Sequence, residues 1–159
     1  HLAAELFKYR GGLKITHVPY KGGGPAAAAV LGGEAQVIFG SFASSYPHVK
    51  TGRLKGLAVT GLKRSAVAPE IPTISESAFP GYDVSAWYGL SAPANTPVAI
   101  VKLLYGEALK VLQLPDVQDT LLRQGLEVTP KSPAELSMQI KSETAVWAKI
   151  ITAAGIHVD

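Results

Sequence analysis

Leu2, Ala3, Leu6 and Phe7 recur at helical spacing and are followed by Gly11-Gly12, which predicts a first helix ending at the glycines. Lys14-Ile15-Thr16-His17-Val18-Pro19-Tyr20 then alternates polar and apolar residues as a strand does. Lys21-Gly22-Gly23-Gly24-Pro25 separates that strand from Ala26 to Leu31, a small apolar run read as a helix and stopped by Gly32-Gly33. Ala35 to Phe39 is an apolar run of strand length. Ser44 to Lys50 reads as a short helix closed by Gly52, and Leu54 to Thr60 as a third strand. Helix, strand, helix, strand, helix, strand implies right-handed crossovers and a mainly parallel sheet, which is the α/β class.

The pattern changes after residue 60. Residues 61–83 are rich in Pro, Ser and Ala, and with Pro69, Pro72, Pro80 and Gly81 they read as a connecting segment. Val84 to Ala92 fits one more strand. Beyond it the periodicity is helical. Thr96-Pro97 predicts an N-cap and a first helical proline for a helix to Leu112, and Pro115 opens a short helix ending at Gly125. Ser132-Pro133-Ala134-Glu135 is a capping box, starting a helix that carries Leu136, Ile140, Trp147, Ile151 and Ala154 on one face and stops at Gly155. Three helices with so little strand are expected to leave apolar faces exposed, or to bury them against another copy of the chain.

Composition narrows the function classes. The chain has 159 residues, 47% hydrophobic and 17% charged, a balance that buries a core and argues against disorder. Length alone suggests one domain. The absence of cysteine removes disulfides, thiolate metal sites and thiol nucleophiles. The net charge of +3 is too small, and no basic run is long enough, to point to nucleic acid. Its distribution is uneven: residues 1–90 hold nine Lys/Arg against five Asp/Glu, and the remainder six against seven. An anion-seeking surface is therefore expected in the first part. No stretch reaches the ~18 apolar residues of a membrane span. The sequence opens in mid-helix at His1, without Met or a signal segment, so a longer polypeptide is expected.

The most informative stretch is Tyr20-Lys21-Gly22-Gly23-Gly24-Pro25-Ala26. Glycines between a strand and a helix let the backbone approach a ligand closely. The amides of Gly23, Gly24 and Ala26 would line a helix start, with Pro25 at its first position, and free amides there attract anions. Alternatively the stretch is a tight turn with no ligand. It is neither a Walker A loop nor a Gly-x-Gly-x-x-Gly fingerprint, so a nucleotide is not expected. His1, His17, His48 and His157 show no metal spacing. Ser41 is a candidate donor to a ligand and Ser44 a candidate helix cap, with no Gly-x-Ser-x-Gly elbow around them. No carboxylate pair is spaced for acid–base work. Trp87 could wall a pocket or pack in the core, while Trp147 reads as core.

An ordered set of segments carries a resemblance. It comprises His1-Leu2-Ala3-Ala4-Glu5-Leu6-Phe7, then His17-Val18-Pro19-Tyr20-Lys21-Gly22-Gly23-Gly24-Pro25-Ala26, Leu31-Gly32-Gly33 and Tyr46-Pro47-His48-Val49-Lys50-Thr51-Gly52. Further on come Leu57-Ala58-Val59-Thr60, Ile71-Pro72-Thr73, Phe79-Pro80-Gly81-Tyr82, Trp87-Tyr88-Gly89-Leu90, Thr96-Pro97 and Ala154-Gly155-Ile156. Together they resemble the extracytoplasmic solute receptors of tripartite tricarboxylate transporters, the Bug-type binding proteins. The resemblance implies an α/β, periplasmic-binding-protein-like fold of the type II, Venus-flytrap kind. It implies one α/β ligand-binding lobe at residues 1–83, the second domain. Residues 84–159 would be the returning strand and C-terminal helices of the first domain.

The function implied is capture of a small carboxylate in the periplasm for membrane permease subunits, with no catalytic residue, cofactor or metal. Tyr20, Lys21, Gly22, Gly23, Gly24, Ala26, Ser41 and Trp87 are the expected ligand-binding residues. Where the family often has an Asp and a polar residue after the second strand, this chain has Gly40 and Ser41. Two other readings remain open. In one the fold serves a two-component sensor rather than a permease, and in the other the glycine loop cradles an anion in an enzyme. The 159-residue polypeptide is also expected to form a dimer or exchange an element between copies.

Overall fold

A computed structural model describes residues 1–156, apart from the side chain of Ala154. His157 lies outside the described residues. The chain forms two compact units, not one. The first comprises His1–Ser85 with the residues from Ile150 onward, and the second Ala86–Lys149.

The first unit contains α1 (Leu2–Gly11), α2 (Gly23–Leu31), α3 (Phe42–Lys50) and the single turn α4 (Ile74–Ser77). Helix α1 ends as its glycines predict. Gly12 takes φ 59°, and its amide returns to the carbonyls of Lys8 and Tyr9, an ending that residues with a Cβ adopt poorly. The buried core of this unit is Leu6, Ala27, Ala29, Ala68, Ile71, Ile74 and Tyr82. Phe7 meets the rings of Phe39, Phe79 and Tyr82 with centroids 5.2–6.5 Å apart. The Tyr82 hydroxyl donates to the Ala3 carbonyl at 2.6 Å, and burial pushes the phenol up to about 12. Helix α4 falls in the segment that sequence reads as a mere connector. Thr73, fully buried, accepts from the Glu76 amide, while the Glu76 carboxylate accepts from the Thr73 amide, both at 3.0 Å. That backbone bond and the Arg64 guanidinium at 2.9 Å hold Glu76 below its ordinary pKa.

The predicted strands are the main correction. Residues 14–20, 35–39 and 84–92 form no ladder, and among the described residues the sole β-bridge is a parallel one between Val59 and Thr73. Around it Val59 N–H reaches Pro72 O at 2.8 Å, Ile74 N–H reaches Val59 O at 2.9 Å, and Val84 N–H reaches Thr60 O at 2.8 Å. Alternation identifies a backbone suited to pairing, but a strand exists only where a neighbour supplies the other half of the ladder. Leu13, Ile15, Val18 and Tyr20 are accordingly exposed.

The second unit holds α5 (Val98–Leu112), α6 (Pro115–Arg123) and most of α7 (Pro133–Ala154). Pro97, not Thr96, is the cap residue of α5, and the Thr96 hydroxyl turns back to Pro93 O at 2.8 Å. The capping box of α7 forms as predicted: Ser132 N–H donates to Glu135 Oε2 at 2.8 Å and Glu135 N–H to Ser132 Oγ at 3.3 Å. The Ser132 hydroxyl, donating to Glu135 Oε2 at 2.6 Å, and after it the Ser132 amide hold Glu135 below its ordinary pKa. As expected of helices beyond residue 97, α5 leaves Val98, Ile100, Leu103, Leu104 and Val111 exposed. None of the described helices is long and apolar enough to cross a membrane.

Candidate functional site

The glycine loop enters α2 earlier than its proline suggests. Gly22 is the N-cap, at φ 104° and ψ 175°, and the helix starts at Gly23. That corner of the backbone map is open essentially to glycine alone. The Gly22 amide turns back to Tyr20 O at 2.8 Å. Pro25 is thus the third helical residue rather than the first. It is tolerated there because no amide in the first turn has an intrahelical acceptor. The Ala26 amide already belongs to the helix, donating to Gly22 O at 3.4 Å. The free pair is Gly23 and Gly24, whose amides find no acceptor among the described residues.

Helix α3 begins beside α2, and its start too is earlier than the sequence suggests. Ser41, not Ser44, is the cap residue. It adopts φ −70° and ψ 158°, and its Oγ accepts from the Ser44 amide at 3.4 Å. Ser44 instead donates through Oγ to Ser41 O at 3.0 Å, and its Oγ lies 3.1 Å from Ser41 Oγ. The two helix starts approach so closely that a Cβ at Gly23 would stand 2.6 Å from Ser44 Oγ and 4.0 Å from Ser41 Oγ. A Cβ at Gly40 would collide with Ser45 Oγ. At Gly23 this packing, rather than φ, calls for glycine, since Ser44 Cβ also lies 2.8 Å from that position, whereas at Gly40 the obstacle is a hydroxyl that can turn aside.

The structure therefore brings Tyr20 to Ala26 and Ser41 together within the first unit. Tyr20, Lys21, Gly22, Gly24 and Ser41 are exposed, and Gly23 and Ala26 half-buried. The local charge is of one sign. Two helix N-termini and the Lys21 ammonium are positive, and neither loop, residues 20–26 or 40–45, contains an acidic residue. Such an edge offers hydrogen-bond donors and positive potential, and no general base. Sequence reasoning missed the role of Ser44, though its spacing of three from Ser41 is the signal of a helix start.

Trp87 lies in the second unit, where its indole N–H donates to Glu143 Oε2 at 2.9 Å. A shallow depression of about 230 Å3 in that unit, lined by Gln118, Leu122, Leu126, Glu127 and Val128, contains no residue of the glycine loop. The His17 ring is stacked on His1, centroids 4.1 Å apart, and among the described residues no cluster of three His, Cys, Asp or Glu could hold a metal. His48 is in the last turn of α3, where the helix dipole favours a positive charge.

Residues 1–156 match the family described as the tripartite tricarboxylate transporter family receptor. The chain belongs to this family. A curated member, the UPF0065 protein in the tcbD-tcbE intergenic region of Pseudomonas sp. (strain P51), is 36% identical over 152 residues, covering 95% of this chain and 45% of its own. Among solved structures, R. palustris Rpa4515 with adipate superposes with a TM-score of 0.89 at 34% identity, covering 98% of this chain and 52% of that one. The periplasmic binding protein BugD gives 0.88 at 30% identity, covering 99% and 53%. MatC from Rhodopseudomonas palustris with bound malate gives 0.80 at 30%, covering 94% and 52%. This receptor-family chain thus spans about half the length of these relatives, and its fold is that of the periplasmic binding proteins, an α/β lobe with the helices of another. These relatives are solute-binding proteins rather than enzymes.

Proposed function

We propose that the chain is part of a periplasmic receptor that captures a small carboxylate for the permease subunits of a tripartite transporter. The anion rests on the start of α2. The observation that carries this reading is the pair of unengaged amides on Gly23 and Gly24, beside the Ser41 hydroxyl and with no acidic group in either loop. In a solvent-exposed setting a charge at a helix N-terminus is worth about 0.3–1 kcal/mol, and more where water is excluded. Residues 1–83 act as the ligand-binding lobe and Ala86–Lys149 belong to the other domain, while the chain from Ile150 groups with the first unit rather than with the helices before it. Tyr20, Lys21 and Gly22 shape the approach, Gly23 and Gly24 donate, and the Ser41 hydroxyl supplies a third donor. The adipate and malate carried by two similar receptors support the class of ligand.

Gly24 offers a clean test. A Cβ there meets nothing within 4 Å. Alanine in a helix is favoured over glycine by roughly 0.8–1 kcal/mol. Gly24→Ala is therefore expected to raise the unfolding free energy while weakening dicarboxylate binding, because its methyl occupies the path of the ligand. Calorimetric titration of adipate, malate and citrate checks this. Absence of binding to every acid by the unaltered protein, or unchanged affinity in Gly24→Ala, would overturn the proposal.

A further inference from the structure

We propose that the turn after α3, carrying Lys50, Arg53, Lys55 and Leu57, is a docking surface for an acidic loop of a membrane partner. The membrane setting of that partner rests on the receptor reading, while the surface itself is read from charge and geometry. Of the nine Lys and Arg in residues 1–90, three are engaged inside the fold. Lys8 meets Glu5 at 2.8 Å, Arg64 meets Glu76 at 2.9 Å, and Arg10 donates to Pro80 O at 3.4 Å. Lys50, Arg53 and Lys55 are exposed, and among the described residues none of them has an ion pair or a side-chain hydrogen bond. They stand in a run, Ala35 to Pro69, that contains no Asp or Glu at all.

The turn is fixed before any partner arrives. The Thr51 amide donates to Pro47 O at 3.3 Å and its hydroxyl to the same oxygen at 3.1 Å. Gly52 takes φ 73°, and the amides of Arg53 and Leu54 both return to His48 O, at 2.9 and 3.0 Å. Just beyond, a Cβ at Gly56 would stand 2.7 Å from Ile71 Cδ1 and 3.1 Å from Val49 Cγ1, so the chain leaving the turn lies against the core. Leu57 follows at 63% exposure, an apolar contact beside the cations. A turn ordered in this way loses little entropy when it binds. It also lies at the far end of α3 from Ser41, about 13 Å along a helix of nine residues, which leaves the glycine loop free.

The partner's chemistry follows from these groups. Loops that a membrane protein leaves on its outer side carry few Lys and Arg, so Asp and Glu set their charge. An arginine fork matches a carboxylate through two parallel hydrogen bonds. An anionic lipid surface is the rival occupant, but lipid-binding segments carry clusters of about 4–8 Lys and Arg, more than this turn presents.

The test uses the full chain with two probes. One is a labelled peptide of Asp, Glu and Leu, set against its Asn, Gln and Leu counterpart. The other is phosphatidylcholine vesicles containing phosphatidylglycerol. Anisotropy over a salt series is expected to show binding of the acidic peptide alone, weakening as salt rises. Lys50→Gln/Arg53→Gln/Lys55→Gln should weaken it about tenfold at low salt, from exposed pairs worth about twofold to threefold each, with the urea midpoint unmoved. Leu57→Ser should weaken it without changing the salt slope. Lys14→Gln/Lys63→Gln removes two other cations of the same unit and should cost far less. An acidic peptide that fails to bind, or equal losses per charge in the triple and double variants, overturns the proposal. Tighter binding to the vesicles than to the peptide also overturns it, in favour of a lipid surface. Calorimetry with adipate and malate separates the two readings. The triple variant should keep the unaltered protein's affinity, and a loss there would move the cations into the ligand site and overturn the docking role. Should the unaltered protein bind neither acid, the carboxylate reading fails, and the peptide still decides the surface.

Discussion

Gly22 shows how one residue fixes the direction of a helix. It stands at φ 104° with nothing within 4 Å of where a Cβ would be. Substitution meets no wall, so its cost lies wholly in the backbone. Gly22→Ala is expected to destabilise the fold by about 1–3 kcal/mol, measured as a shift in urea midpoint with an unchanged slope. A cost near zero would mean that the loop relaxes into another path. The loop's glycines were legible in the sequence as a close-approach segment. Their individual duties were not, because Gly22, Gly23 and Gly24 are required for three different reasons. Gly22 serves φ, Gly23 serves contact with Ser44, and Gly24 leaves open space in front of an unengaged amide. Only the third spares the fold when replaced. Composition cannot distinguish them, since contact with Ser44 depends on how α2 meets α3.

At the scale of elements, helix ends were more legible than helix starts. The glycines after α1 and α7 stop them where the sequence says, and the Ser132–Glu135 box opens α7 as read. Pro25 misleads because a proline is equally harmless at any position in a first turn. Thr73-Ile74-Ser75-Glu76 carried a full capping-box signal, but the prolines around it favoured a loop reading. Strands were legible as alternation alone, because a ladder depends on a neighbouring segment that alternation does not name. Helix α1 is tied to the later segment through Tyr82, and this tie gives a pH signature. The folded phenol titrates at about 12 against 10.0 for a free tyrosine. The unfolded chain therefore ionises first. The stabilisation is complete below pH 10.0, falls as pH rises from there toward about 12, and is absent above. Tyr82→Phe should abolish this alkaline decline and, by removing the bond to the Ala3 carbonyl, cost about 0.5–1.5 kcal/mol at neutral pH. Urea titrations at a series of pH values read both. An identical alkaline slope in the variant would assign the decline to another group.

At the scale of the whole molecule, length proved a poor guide to organisation, because 159 residues divide into two units. The slight positive charge is likewise local, concentrated where the glycine loop lies. Every buried apolar residue among those described belongs to the first unit, while α5 presents Val98, Leu103 and Leu104 to solvent at 53–70% exposure. Apolar surface of that extent on a small helical unit drives association. The 159-residue polypeptide on its own is expected to sediment as a dimer or larger species at micromolar concentration, and a compact monomer there would contradict this.

The first unit is discontinuous in the chain. It takes its opening stretch up to Ser85 and then residues from Ile150 onward, whereas the second is one uninterrupted run. Synthesis has a direction, and a ribosome delivers the beginning of the first unit long before its last contributors. The later, contiguous unit has all its residues available sooner than the earlier one does. Between these two units, order of emergence and order of completion are therefore reversed, and the glycine loop, although made early, sits in the unit that is completed after the other.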